Sequence, residues 1–419
     1  SYANPVAVAR YNENTEKGTN LVFSTYAQLS LLNDKLNFKT SYNLDYQSYR
    51  NQGYVPEYFV GGSQGVSVST LTKIYGLRDR HVIDNTITYT DRISDHNFSL
   101  MAGQSVRIER FSAIKGSGIN VPDYDSQSLY IDNGSNSGSS VSDKNPAPYL
   151  YHGVSFFTRG THNYADRYLA TVTFRADGSS KYNKKWGFFP SVGLGWVLTS
   201  EPYMKDYLPF DFLKLRVSWG MLGNDNVPAN STVILGSVGT SVSGVFGDNL
   251  VDGIGAQTVY QNYLRWEVVN EYDAGVDFTI LEGRFSGELD YYDRTTENVV
   301  FYVPIATGGG TAELLSNNGT VRNSGFELTL GWSDFVGEDI TYNIGLNLTT
   351  VSNKVVELQG RDYIPGASVR GNYSTRTQVG LPIGAFWGYI VDGVFASDQE
   401  VSDHPIQQEI MAPGYFKYR

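Results

Sequence analysis

Ser63 is the first residue whose surroundings could support chemistry, because Gly61-Gly62-Ser63-Gln64-Gly65 has the G-x-S-x-G spacing of a hydrolase nucleophile elbow. That elbow needs a strand before the serine and a helix after it, so that a strained turn exposes the hydroxyl. Here Val66-Ser67-Val68-Ser69-Thr70 follows, a β-prone run, and the motif is read as a turn. The five histidines, His81, His96, His152, His162 and His404, show no pair at metal-ligand spacing and no neighbouring carboxylate cluster. They are read as satisfied loop or interface side chains. Asp177-Gly178-Ser179-Ser180 and Gly223-Asn224-Asp225-Asn226 could offer oxygen ligands to calcium, but Asp, Asn, Gly and Ser dominate turns for backbone reasons, and turns are the preferred reading. No phosphate loop, zinc-protease motif or kinase signature occurs. No catalytic, cofactor-binding, metal-binding or substrate-binding residue is assigned, and the chain is expected not to be an enzyme.

Composition narrows the classes further. The chain has 419 residues, with 32 Lys and Arg against 43 Asp and Glu, and a net charge of -11. No basic stripe appears, which argues against nucleic acid as a partner. The absence of Cys removes disulfide frameworks, thiolate metal sites and Cys nucleophiles. With 44 Gly, 14% aromatics and 18% charged residues, β structure is favoured over disorder. Ser1 to Arg10 lacks the features of a signal peptide. The longest uncharged stretch, 226–247, is 22 residues rich in Gly, Ser, Asn and Thr, and is read as a loop rather than a membrane helix.

The elements that must position any site show a period of two. Leu36, Phe38, Tyr42, Leu44 and Tyr46 alternate with Asn37, Lys39, Ser41, Asn43 and Asp45. The same pattern recurs in Leu213, Leu215, Val217 and Trp219, and in Ile344, Leu346 and Leu348. Twelve strands are predicted: 21–31, 36–46, 82–90, 96–108, 153–162, 168–176, 188–198, 212–221, 268–280, 284–294, 322–333 and 340–352. The first connection and every second one after it span 3 to 13 residues; the others span 11 to 46. Such alternation is expected of an outer-membrane β-barrel, with short periplasmic turns and long outward loops. Tyr272 and Tyr291 would mark one interfacial girdle and Phe278 and Phe285 the other. The segment 353–419 lacks clean alternation and reads as loop-like.

The predicted lumen face carries Asp45, Arg107, Arg175, Lys214, Arg216, Asp273, Asp277, Glu288 and Asp290. This mixture of signs suits a wall that packs against an internal plug or passes neutral polar solutes better than an ion-selective pore. The long loops carry Tyr49, Tyr54, Tyr58, Tyr124, Tyr130, Tyr149, Tyr151, Tyr260 and Tyr263, whose rings could stack on sugars or dock a protein.

Several ordered blocks carry a resemblance. They are Phe174-Arg175-Ala176-Asp177-Gly178-Ser179-Ser180 followed by Trp186-Gly187-Phe188-Phe189-Pro190-Ser191, and Leu213-Lys214-Leu215-Arg216-Val217-Ser218-Trp219-Gly220 with Gly223-Asn224. Trp266-Glu267 with Tyr272, Gly275, Asp277 and Phe278 then leads to Asp290-Tyr291-Tyr292. The run from Asn318 to Leu328 and the run from Gly380 to Phe395, with Pro382-Ile383-Gly384 and Asp392-Gly393, complete the set. Together they resemble the Sus-type (starch-utilisation-system-like, RagA-like) TonB-dependent outer-membrane transporters of the Bacteroidota. The resemblance implies an all-β, antiparallel, up-and-down transmembrane barrel of twenty-two strands, of which about twelve lie in this chain. It further implies a plug domain, a surface lid lipoprotein of the SusD type, contact with TonB through the plug, and import of oligosaccharides or oligopeptides across the outer membrane of a Gram-negative bacterium. Residues 1–419 are read as one barrel segment, with the plug and terminal strands lying outside this sequence. Oligosaccharide import is the leading functional expectation and oligopeptide import the alternative. A passive porin or a surface adhesin are readings from other classes.

Overall fold

The structure is a computed structural model that describes residues 5–61, 64–122, 129–143, 146–204, 209–229, 235–247, 249–260, 264–307, 310–337, 339–366, 368–369, 372–407 and 411–419. Twelve long strands form its wall: β1 (Glu13–Leu31), β2 (Leu36–Val55), β3 (Thr70–Ile93), β4 (His96–Ile119), β5 (Tyr149–Tyr164), β6 (Tyr168–Ser179), β7 (Trp186–Val197), β8 (Phe212–Asn224), β9 (Glu267–Ile280), β10 (Phe285–Thr307), β11 (Gly310–Val336) and β12 (Ile340–Thr349). They lie side by side in chain order, each antiparallel to the next. Every one corresponds to a predicted strand. Ser352–Glu357 continues the line of β12 along β11, so this last strand crosses the sheet with only a short interruption.

Alternation in the sequence becomes two chemically opposite faces. Leu21, Phe23, Leu29, Phe156, Phe188, Ile344, Leu346 and Leu348 share the outer face and are 49–63% exposed. Leaving that much apolar surface in water would forfeit the main driving force for folding. Hydrocarbon is the solvent that suits it. At the short-turn end, ring contacts run from Tyr164 to Tyr168 to Trp196, and from Phe210 through Phe278 and Phe285 to Trp332, with centroids 5.9–6.4 Å apart. At the loop end Tyr291 packs on Phe326 at 5.1 Å, beside the exposed Tyr272. These are the two girdles expected from Tyr272, Tyr291, Phe278 and Phe285.

The short turns are tight. Leu32, Asn33 and Asp34, then Ala165 and Asp166, then Leu281 and Glu282 adopt φ between 55° and 64°. Left-handed residues of this kind give a two- to four-residue connection the twist of the strands it joins. Non-glycine residues accept that conformation at some cost.

Three expectations are corrected. First, the long loops are largely strand: β3 begins at Thr70 rather than 82, β4 runs to Ile119, and β10 and β11 continue to Thr307 and from Gly310. Above the bilayer neither face must be apolar, so the periodic signal fades while backbone pairing continues. Second, the stretch 226–247 is not simply a loop, because Leu235–Phe246 pairs antiparallel with Asn249–Tyr260. That hairpin joins β11 through a short parallel ladder. Its small residues can extend as well as turn, and pairing decides between the two. Third, the segment 353–419 contains Tyr363–Pro365, Thr375–Gln378 and Ala385–Phe386 in one small sheet, Val391–Val394 paired with Phe416–Tyr418, and a short helix Asp398–Asp403. Ser397 caps that helix by accepting a hydrogen bond from the Glu400 amide.

The tightly buried clusters sit toward the loop end of the wall. One gathers Tyr54, Leu71, Val121 and Leu129; a second Val303, Val355, Leu358 and Ile364; the third is described next.

Candidate functional site

The third buried cluster consists of Tyr182, Phe189, Val227, Leu264, Trp266 and Leu315. It brings together residues far apart in the chain. The Tyr182 ring lies 4.9 Å from that of Trp266, and Phe189 meets the same indole edge-on at 5.4 Å. The polar tips are all satisfied: Trp266 Nε1 donates to the Lys185 carbonyl at 3.0 Å and Tyr182 Oη to the Asn224 carbonyl at 2.9 Å. Asn317, buried between strands, donates to the Arg265 and Asn298 carbonyls and accepts from the Arg265 amide. Burial raises the Tyr182 phenol above its ordinary pKa. Gly223 is required here because a Cβ would fall 2.0 Å from the Phe189 ring.

Beside this knot the inner wall is hollowed into a cavity of about 640 Å³, lined by Arg107, Tyr151, Arg175, Asp177, Ser191, Asp225 and Trp266 among others. Strands β4 to β7 place Arg107, Tyr151, Arg175, Asp177 and Ser191 on the lumen face by simple alternation, while Asp225 and Trp266 come from the connection between β8 and β9. Arg175 grips both Asp177 oxygens through Nε at 2.8 Å and reaches Ser155 at 2.9 Å. Arg107 lies 4.5 Å over the Tyr151 ring, and its Nε has no hydrogen-bond partner. Tyr151 donates to Asp225 at 3.0 Å, and Lys181 donates to the Asp225 carbonyl at 2.8 Å. Burial lowers the Lys181 pKa, with Asp225 acting in the opposite direction. A wall of guanidinium, carboxylate, hydroxyl and aromatic groups can hold a polar solute by many modest contacts without committing to one charge sign.

Lower on the wall a second cluster forms around Arg216. Its Nε donates to Asp277 at 2.8 Å and its Nη2 to Asp290 at 2.7 Å, with Asp273 at 3.6 Å and Lys214 also on Asp277 at 3.0 Å. Gly275 leaves the room, since a Cβ there would meet Asp290 Oδ1 at 2.1 Å.

The predicted lumen residues are thus brought together in groups. Asp45 pairs with Arg80 at 2.6 Å, Arg107 and Arg175 line the cavity, and Lys214, Arg216, Asp273, Asp277 and Asp290 form the lower cluster. Glu288 is exposed and joins none of these pairs among the described residues. Sequence reasoning missed Glu109, a buried carboxylate held by Arg78 at 2.9 Å and by Tyr149 at 2.7 Å. Nothing in its local sequence marks it.

The loop tyrosines divide. Tyr54 is 2% exposed and Tyr151 5%, so both are structural rather than stacking platforms. Tyr149 serves Glu109, Tyr58 stacks on Tyr11 at 4.6 Å, and Tyr49 covers Gly76. Tyr130 is 58% exposed with the Lys73 ammonium 5.3 Å from its ring. Tyr260 ends a strand, and Tyr124 and Tyr263 lie outside the described residues.

Ser63 also lies outside the described residues; its flanks, Tyr58–Gly61 and Gln64–Val66, pair as a hairpin without a following helix. His81 is satisfied by Tyr42 at 2.8 Å and Asp79 at 3.1 Å. His96 and His162, in contrast to their wide sequence spacing, meet with Nδ1 and Nε2 3.1 Å apart. The β4–β5 register makes this pair, and among the described residues no third ligand joins it.

Comparison with known proteins agrees with this architecture. The family model for the TonB dependent receptor-like β-barrel matches residues 2–417. TonB-dependent receptor P3 of Formosa agariphila is 29% identical over 94% of this chain and 39% of its own length. TonB-dependent receptor SusC of Bacteroides thetaiotaomicron is 33% identical over 56% of this chain and 25% of its own. A solved structure of the RagAB peptide transporter superposes with a TM-score of 0.76 at 18% identity, covering 92% of this chain and 41% of that one. The chain spans about two fifths of the length of curated relatives that it matches over most of its own length. It belongs to the TonB-dependent receptor β-barrel family, and its twelve strands are outer-membrane barrel wall of a Gram-negative bacterium.

Proposed function

We propose that this chain forms the wall, extracellular loops and upper lumen of a TonB-dependent importer of complex nutrients, with oligosaccharides as the cargo. A plug lying outside residues 1–419 gates the lumen and contacts TonB, and a surface lipoprotein lid of the SusD type closes over the loop end. The observation that supports this reading best is the pairing of an apolar, lipid-compatible outer face with a polar, mixed-charge inner wall containing the 640 Å³ cavity. Hydroxyls of Ser105, Ser155, Thr173 and Ser191 together with the Arg107, Arg175 and Asp177 side chains suit the hydroxyls of a sugar. The alternative, oligopeptide import, is favoured by the Arg175–Asp177 and Arg216–Asp290 pairs, whose opposite charges match peptide termini and charged side chains.

Growth and uptake by a strain lacking the full-length gene, complemented with wild type or with Arg107→Ala/Arg175→Ala, tests the reading. Loss of uptake of an oligosaccharide class that wild type restores is the expected result. Restoration confined to oligopeptides moves the assignment to the alternative. Uptake independent of TonB identifies a passive porin, and full solubility of the folded protein without detergent identifies an adhesin.

A further inference from the structure

A second recess lies on the opposite side of the wall. A groove of about 920 Å³ crosses β1 to β4 near their loop ends. No register shift interrupts the pairing of these four strands, so alternation assigns each lining side chain to a face. One edge is the cross-strand row Lys17, Arg50, Tyr75, Ile114; the other is Thr19, Ser48, Leu77, Ser112. Lys17 has the parity of Leu21, Phe23 and Leu29, and Arg50 that of Phe38 and Tyr42, which places both rows on the lipid-facing side.

The height of the groove is set by the same strands. From Leu31 at the turn to Leu21 the outer face of β1 is largely apolar, and ten residues at about 3.3 Å each, tilted by about 40°, span roughly 25 Å. Thr19 and Lys17 follow immediately, at the level of the outer-leaflet headgroups. Lys17 and Arg50 stand directly opposite one another, an arrangement that is unfavourable unless an anion lies between them. Both are exposed, and neither has an ion-pair partner among the described residues. Asp143 is the one carboxylate lining the groove; in the row below it Asp79 stands opposite Arg110 and pairs with His81 at 3.1 Å.

We propose that this groove holds the phosphate of an anionic outer-leaflet lipid, with Lys17 and Arg50 taking the charge, the Thr19, Ser48 and Ser112 hydroxyls donating to headgroup oxygens, and Tyr75, Leu77 and Ile114 flanking the first acyl carbons. Two cations in a bilayer interface favour an anionic over a zwitterionic headgroup by about thirtyfold. The site is independent of the nature of the imported cargo.

The full-length protein, purified in detergent, is titrated with phosphatidic acid and with phosphatidylcholine, and bound lipid is counted by native mass spectrometry. Wild type is expected to bind one phosphatidic acid about thirtyfold more tightly than phosphatidylcholine. Lys17→Gln/Arg50→Gln is expected to abolish that preference, while Lys17→Arg preserves it. Both substitutions are at exposed positions, and the mobility shift of the heated against the unheated barrel on gels confirms folding. Equal affinity for the two lipids, or a Gln/Gln variant that keeps the preference, overturns the proposal. Displacement of the lipid by inorganic phosphate alone also overturns it, because the site would then select the free anion.

Discussion

The aromatic knot around Trp266 and the ion cluster around Arg216 occupy neighbouring strands of one wall, yet they use opposite means. The knot excludes water: Leu264 and Tyr182 are at most 1% exposed, and each polar tip ends on a backbone carbonyl. The ion cluster stays half-wet, with the Arg216 side chain 30% exposed between three carboxylates. Buried apolar area is the stronger source of stability, whereas solvated ion pairs add little net free energy and keep charges accessible on the inner wall. The comparison therefore separates a region that holds the loops in place from one that shapes the lumen.

The largest test of that separation is Trp266→Ala. Removing the indole leaves a cavity among Tyr182, Phe189 and Leu264, and is expected to cost about 3–5 kcal/mol in urea unfolding of the full-length barrel in lipid vesicles. Arg216→Met leaves Asp273, Asp277 and Asp290 facing one another and is expected to cost about 2 kcal/mol by the same measurement. Replacing Arg216, Asp277 and Asp290 together by apolar residues of similar volume should return most of it. If Arg216→Met costs more than Trp266→Ala, the ranking of the two regions is wrong. Tyr151→Phe removes one hydrogen bond to Asp225 and is expected to cost about 1 kcal/mol, with loosening of the 222–227 segment visible by hydrogen exchange.

The smallest effect is acid sensitivity at the turn between β7 and β8. Hydrogen bonds from Tyr168 first, then from Trp196 and Arg167, hold the Glu201 carboxyl below its ordinary pKa. A depressed folded-state pKa stabilises above the unfolded value and is lost as pH falls through the folded one. Amide protection around residues 197–201 should therefore weaken below about pH 4.5, and Glu201→Gln should flatten that dependence. An identical pH profile in the variant would remove Glu201 from the account.

What the sequence made legible follows from where physics imposes a period. Inside the bilayer each strand must be apolar on one side, so Leu36 to Tyr46 and Ile344 to Leu348 announced themselves, and all twelve wall strands were readable. Above the bilayer the constraint lapses. Thr70 to His81 and Thr295 to Thr307 continue as strand without an alternating signature, and 235–260 pairs although its Gly and Ser suggest a loop. The lumen charges could be placed on the correct face by parity, but their partners could not. Arg216 with Asp290 and His96 with His162 are joined only by register, which depends on turns and pairing rather than on local composition. Tyr151 and Tyr54 misled for a related reason, since a tyrosine in a long connection looks the same whether it faces a ligand or a core.

The short left-handed turns also bear on how the wall is made. Each of Leu32–Asp34, Ala165–Asp166 and Leu281–Glu282 joins two strands that pair with each other along their whole bilayer-spanning length. Closing so small a loop costs little chain entropy, and every subsequent residue pair zips onto a partner already adjacent. Assembly can then proceed hairpin by hairpin, with the turn as the seed that fixes which residue meets which before lipid is reached. A one-residue insertion in such a turn would shift the downstream strand by one register and present its polar face to hydrocarbon, so the fidelity of insertion rests on some of the smallest pieces of the molecule.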